Sequence, residues 1–474
     1  MRPEHGRAGV GGHFDRTAAH ADDFYLVVPV GRVGERPAGY HRHTRSARRY
    51  VPVALVKCVH RDGIIAKNAQ RCAVFWCISA WRSVMMRVGG TMYRFGQAEV
   101  DAVAELATSQ RLWRHMDGSR SSQFEHAFAD RIGVDHALVM TSGTAALICG
   151  LVAVGVAPGD EVLLPAYTFV ATAFAVMAIG ATPVLVEVDE SLTIDPEDLA
   201  AKITDRSRAV IPVHINGLPC AMDAIVDICR DRHLSIVEDA CQAVGGTYRG
   251  VPLGSIGDCG AFSFNYYKTI SCGEGGCLTT GSAHLYERAR IYHDAGCAFF
   301  SPDQAVRTEY FAGANYRMSE ILSAVLLVQL GRLDGILSDL RERKKTILDR
   351  FASVDTVRPA PVRDADGDCG VKTAFLLEST DAARSATRRI NEARLCVTAE
   401  CPLDTSRHVY VNWEAVLSGR SPLSSAIPGR RYAADACPRT LEHLGRTLNL
   451  IVHPDTDLRD LDRALDTVQG MLCR

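Results

Sequence analysis

No C-x2-C pair, no Cys/His cluster at zinc-ligand spacing and no secretory-leader pattern is found in the 474 residues, although 16 are cysteine. Thiols scattered singly give no metal or disulfide framework and point to reduced cysteines in a cytoplasmic protein. Long apolar runs are also missing. The stretches 51–59 and 72–81 reach about half of the ~20 residues that a membrane-spanning helix needs, so no membrane segment is read. Charge of one sign is scarce overall, with 53 Lys+Arg against 55 Asp+Glu and a net charge of -2. Residues 1–91 carry 15 basic against 6 acidic side chains, leaving 38 against 49 for the remainder. An acidic body argues against gripping a phosphate backbone, and the basic segment lacks interleaved aromatics or a reading motif, so no nucleic-acid partner is expected.

What is present fits a soluble globular protein of more than one domain: 47% apolar and 23% charged residues, with a mean hydropathy of 0.00. Residues 1–91 are rich in Arg, His and Gly, lack sustained periodicity, and end where Met85, Met86 and Met92 precede a regular pattern. They read as a basic extension, either a disordered tail or a translated region ahead of a later start; the acidic residues and Val-rich runs suit a transit peptide poorly. Beyond Arg94 come two helical stretches and then an alternation. Strands are expected at 137–140, 161–165, 183–188, 209–214 and 234–238, with helices at 145–154, 168–179, 196–203 and 221–232. Asp195 as N-cap and Pro196 at the first helical position support the third of these helices. Such alternation argues for a mainly parallel sheet covered on both faces, with ligands outside the carboxyl ends of its strands. An exposed loop at 296–311 and one long helical region from Ser319 past Leu333 to Lys345 follow. A smaller α+β pattern begins near residue 353, giving a large α/β domain over 92–345 and a small C-terminal α+β domain over 346–474.

The run from Phe262 to Gly276 joins a short apolar strand to Lys268 and then to a turn holding Gly273, Gly275 and Gly276. Burial at such a seam disfavours the charged amine, and a neutral amine can attack a carbonyl to form a Schiff base. A surface lysine covering an apolar edge is the plain alternative. Two other strand ends add to the first reading. Ser142-Gly-Thr144 opens a helix, where free backbone N–H groups favour a phosphate, although such a serine is ordinarily only an N-cap. Asp239 closes a strand and could equally cap the next turn. A lysine for an aldehyde, an acid for a ring nitrogen and donors for a phosphate are together what pyridoxal 5'-phosphate (PLP) requires. His214 and His408 could approach a substrate, but a lone histidine is more often a hydrogen-bonded structural residue.

The segments Thr-Ser-Gly-Thr-Ala-Ala-Leu147, Ala-Tyr-Thr-Phe-Val-Ala-Thr172, Val-Glu-Asp-Ala-Cys-Gln-Ala-Val-Gly-Gly246, Gly-Ala-Phe-Ser-Phe-Asn-Tyr-Tyr-Lys268, Gly-Glu-Gly-Gly276 and Asn-Tyr-Arg-Met-Ser-Glu320 resemble, in order and spacing, the DegT/DnrJ-type sugar aminotransferases. The likeness implies the fold-type I architecture of PLP enzymes. It implies that Lys268 carries the cofactor and shuttles a proton, and that Asp239 pairs with its ring nitrogen. Gln242 would sit near its phenolic oxygen, Phe169 against the ring, and Gly143, Thr144 and Ser263, beside Ser142, at the phosphate. Asn315 and Arg317 would reach a neighbouring subunit's site, implying a homodimer. A lysine rather than a histidine at 268 favours amino transfer from glutamate or glutamine to a keto-sugar or keto-cyclitol, whether nucleotide-linked, octulosonate-type or from an antibiotic pathway. A sugar deaminase or dehydratase, or a non-catalytic regulator, is the alternative.

Overall fold

The computed structural model describes residues 94–296, 307–423 and 430–473. The basic extension and most of the loop expected at 296–311 lie outside the described residues. In chain order the strands are β1 His136–Met140, β2 Glu161–Pro165, β3 Thr182–Val186, β4 Ser207–Val210, β5 Ser235–Asp239, β6 Thr247–Tyr248, β7 Val251–Pro252, β8 Cys259–Ser263, β9 Gly276–Thr280, β10 Arg358–Pro359, β11 Thr373–Leu376, β12 Val397–Glu400 and β13 Thr447–Val452. Seven of these form one sheet in the order β1-β9-β8-β5-β4-β2-β3. All its pairings are parallel except those of β9, which runs antiparallel to β1 and β8. The carboxyl ends of β1, β2, β5 and β8 therefore share one edge.

A sheet covered on both faces has no solvent side, which is why every residue of β2 is buried. The strand alternation instead divides two cores. Leu138 and Met140 of β1 pack into one, while Ala137 and Val139 pack into the other. The helix Gly143–Ala153 is apolar on nearly all sides and is buried accordingly.

Several boundaries shift from the sequence reading. Gly143 and Thr144 are the first residues of their helix rather than a turn before it, and Asp239 is the last residue of β5. The single long helical region is two helices, Glu320–Leu330 and Leu333–Phe351, bent by 54°. Gly331 lies at that break, where its low helix propensity weakens continuation. The second helix leads to a four-stranded antiparallel sheet, β10-β11-β13-β12. Helices Thr380–Glu392 and Leu458–Leu472 cover it through Ala383, Ile390, Leu461, Leu465 and Val468, which form a third core. No single helix among the described residues is long and apolar enough to cross a membrane.

Candidate active site

Lys268 sits on a loop pinned at its base from both sides. Phe262 and Phe264, two residues apart and so on one face, meet Phe128 and Phe124 edge-on with ring centroids 4.9 and 5.4 Å apart. Such pairs add about 0.5–1.5 kcal/mol each beyond their buried area. The loop closes on itself through Phe264 N–Gly275 O at 2.8 Å, Tyr266 N–Gly273 O at 2.9 Å and Lys268 N–Asn265 O at 2.9 Å. Gly273 has φ +93°, a conformation that costs glycine little. Gly276 has a different reason: a Cβ there would lie 2.2 Å from the carbonyl carbon of Ser142. Its missing side chain lets β9 press against the Ser142–Gly143 peptide.

The Lys268 side chain is half-buried, and its Nζ takes part in no hydrogen bond or ion pair among the described residues. Burial lowers its affinity for a proton; Cys241 and Asp239 oppose that effect, and the charge of Lys372 adds to it, for a net fall below the ordinary lysine value. Asp239 is 5% exposed. Its Oδ2 accepts from Thr172 Oγ1 at 2.7 Å and its Oδ1 from Cys241 N at 3.1 Å. Burial, with Asp239 nearby, holds the Cys241 thiol well above its usual value, so it stands as a neutral group beside the amine.

Ser142 caps the helix Gly143–Ala153, its Oγ accepting from Ala145 N at 3.1 Å. That leaves the N–H groups of Gly143 and Thr144 without an acceptor among the described residues. A Cβ on Gly143 would fall 2.7 Å from Cys241 Sγ and 2.8 Å from Ser263 Cβ. The helix start, the Asp239-Ala-Cys241 strand end and Ser263 thus converge. Ser263 is buried, with its Oγ accepting from Asn265 N at 3.4 Å. A helix N-terminus with spare donors, a nearby buried carboxylate and an unpaired lysine amine fit PLP's phosphate, ring nitrogen and aldehyde.

The other expected residues divide. Gln242 is near, its Oε1 accepting from Asn216 N at 3.0 Å. Phe169 is 39% exposed, with its ring 5.4 Å from that of His408. His408 arrives because residues 407–410 pair along 166–170, through Thr168 N–His408 O and Val170 N–Arg407 O, both 2.9 Å. Burial and the charges of Lys372 and Lys268 lower His408 to about 4, against the pull of Glu400. His214 is a structural histidine: Nδ1 accepts from Cys220 N at 3.1 Å, so the proton on Nε2 goes to Glu238 Oε2 at 3.1 Å. Asn315 and Arg317 lie along the far edge of β1, bridging Asp294 and Met140. Arg317 also pairs with Asp294 and covers the Trp113 ring at 5.6 Å.

Four site residues escaped the sequence analysis. Thr172 closes the Ala-Tyr-Thr-Phe-Val-Ala-Thr172 segment, and its position four residues after Thr168, whose Oγ1 it meets at 2.8 Å, was the available signal. Lys372, Glu400 and Asn449 come from the four-stranded sheet. Lys372 Nζ is 2.6 Å from Glu400 Oε1, which also accepts from Asn449 Nδ2 at 3.3 Å. No motif marks them.

A lysine, an acid and a helix start with free N–H groups at the strand ends of an α/β sheet are the groups that PLP requires. Residues 94–469 match the DegT/DnrJ/EryC1/StrS aminotransferase family, and the chain belongs to it. GDP-perosamine synthase of Caulobacter vibrioides is 44% identical over 264 residues, covering 55% of this chain and 69% of that protein. Spore coat polysaccharide biosynthesis protein SpsC of Bacillus subtilis is 32% identical over 389 residues, 80% of this chain and 95% of its own. The crystal structure of 3-amino-5-hydroxybenzoic acid synthase superposes with a TM-score of 0.70 at 27% identity, covering 81% of this chain and 98% of that one. The chain is therefore a PLP-dependent aminotransferase of fold-type I.

Proposed function

We propose that this aminotransferase moves an amino group from glutamate or glutamine to a keto-sugar, with a nucleotide-linked keto-hexose favoured by the likeness to GDP-perosamine synthase. The observation that carries the reading is the unpaired, half-buried amine of Lys268 set among Asp239, Cys241 and the Gly143–Ala153 helix start. PLP, when bound, supplies an electron sink and a carrier for the amino group. Lys268 would hold it and, once displaced by the donor, would move a proton to and from the substrate's Cα; burial lowers its proton affinity, which favours the neutral amine that can accept that proton. Asp239, kept in place by Thr172 and the Cys241 amide, keeps the ring nitrogen protonated. The free N–H groups of Gly143 and Thr144, with Ser142 and Ser263, hold the phosphate. Phe169 would stack on the ring, and Gln242 would serve its phenolic oxygen.

A homodimer fits the 51%, 42% and 43% exposure of Leu112, Trp113 and Met116 near Arg317, with Asn315 and Arg317 presented to the second copy. A cytoplasmic setting fits the unpaired thiols at all 12 described cysteines. The test is spectroscopic. Purified protein loaded with PLP should show the cofactor's near-visible band, and L-glutamate or L-glutamine should convert it to that of the aminated cofactor. A candidate keto-sugar should then restore the first band. A loaded protein whose spectrum no amino acid changes would remove the proposal.

A further inference from the structure

Lys372 immediately precedes β11, Glu400 ends β12 and Asn449 lies on β13, so adjacent strands bring three polar side chains together. Lys372 Nζ and Asn449 Nδ2 share one oxygen, Glu400 Oε1, at 2.6 and 3.3 Å. Asn449 is fully buried, and its Oδ1 has no hydrogen-bond partner among the described residues. The group adjoins the candidate active site through Tyr167, which Asn449 hydrogen-bonds and whose hydroxyl accepts from Asn216 Nδ2 at 3.4 Å, while Asn216 N donates to Gln242 Oε1 at 3.0 Å; the charge of Lys372 also acts on Lys268 and His408. Burial disfavours the Glu400 carboxylate, yet Lys372 and Asn449 hold its proton affinity below the ordinary value.

A transaminase admits two unlike molecules to one site. Its amino donor brings an α-carboxylate, which needs a cation when desolvated, whereas the keto group of a sugar needs none. A cation paired internally while the site holds a sugar, and released when a carboxylate enters, serves both. We propose that Lys372 is the residue that binds the α-carboxylate of the amino donor, with Glu400 as its internal placeholder. When the donor enters, Lys372 exchanges one carboxylate partner for another, and Glu400 keeps the Asn449 amide. The Glu400 side chain is 28% exposed, so on losing Lys372 its carboxylate keeps the Asn449 amide and contact with water. This inference rests on the Lys268 site being the transamination site.

The test uses the PLP-loaded enzyme and glutarate, a dicarboxylate without an amino group, titrated by calorimetry. Lys372→Met should weaken glutarate binding by roughly 10- to 100-fold, the scale of a lost charge-assisted hydrogen bond. Lys372→Arg should retain most of it, and Glu400→Gln should tighten it a few-fold by removing the competing carboxylate. In the half-reactions followed by absorbance, Lys372→Met should raise the L-glutamate concentration needed for half-maximal conversion far more than it affects reaction of the aminated enzyme with the keto-sugar. Unchanged glutarate affinity in Lys372→Met, no glutarate binding by the unsubstituted enzyme, or equal loss in both half-reactions overturns the inference. Loss of the cofactor band from the unsubstituted protein would instead strike the Lys268 reading, so the two failures are distinguishable.

Discussion

Glu238 and Asp239 are neighbours on β5, and the alternation of a strand sends their carboxylates to opposite faces. Glu238 is fully buried and saturated: Oε1 accepts from Ile256 N and Gly257 N, both at 2.7 Å, and Oε2 from Gly254 N at 2.9 Å and His214 Nε2 at 3.1 Å. Among the described residues Asp239 accepts from Thr172 Oγ1 and from Cys241, fewer donors than its neighbour takes, and it lies beside Lys268. A carboxylate with every acceptor position filled locks a loop to a strand, whereas one with spare capacity can serve a ligand. The same contrast separates His214, engaged at both ring nitrogens, from His408 in the site.

The sharpest cut across that contrast is Lys268→Ala. It should lower turnover by at least ~10^3-fold, within the range for removing a proton-transfer group, while the melting temperature of the unloaded protein stays within a few degrees. Asp239→Asn comes next. Turnover should fall by about 10^2–10^4-fold with stability changed by less than about 1 kcal/mol, since the amide oxygen can still accept from Thr172. Glu238→Gln should reverse the pattern. Its NH2 would face backbone donors, costing roughly 1–3 kcal/mol in urea unfolding, with turnover per folded molecule nearly unaltered. If the two carboxylate variants lose stability equally, the division between them is wrong.

The smallest effect concerns His408. Its proton affinity falls from the ordinary 6.5 to about 4 on folding, so between those values the unfolded chain binds a proton that the native chain does not. Stability is therefore lost as pH drops through that window. His408→Asn should flatten the acid limb of a stability-versus-pH curve by at most roughly 3 kcal/mol, and less because the ring is partly solvated. An unchanged acid limb would place His408 among the surface histidines.

Much of the fold was legible because its signals are local. The alternating strands and helices, the Asp195 cap and the glycine turn after Lys268 all lie within short windows. The sequence also marked Lys268, Asp239 and Ser142-Gly-Thr144, because each stands where a strand ends. It did not distinguish Gly273 from Gly276. One needs a positive φ and the other yields to the peptide of Ser142, a contact made across strands. Nor did it divide the two lone histidines, whose difference lies in partners far along the chain.

The sequence by itself determined the α/β layering and singled out Lys268 at its glycine-rich turn, since hydrophobic period and turn chemistry act over a few residues. Only the tertiary structure showed that Glu238, beside Asp239, is taken up by three backbone N–H groups and His214. It alone brought Glu400 to Lys372, 28 residues away, and to Asn449, 49 residues away. Those contacts depend on how β11, β12 and β13 pair, and strand pairing is fixed by burying the third core rather than by any local pattern.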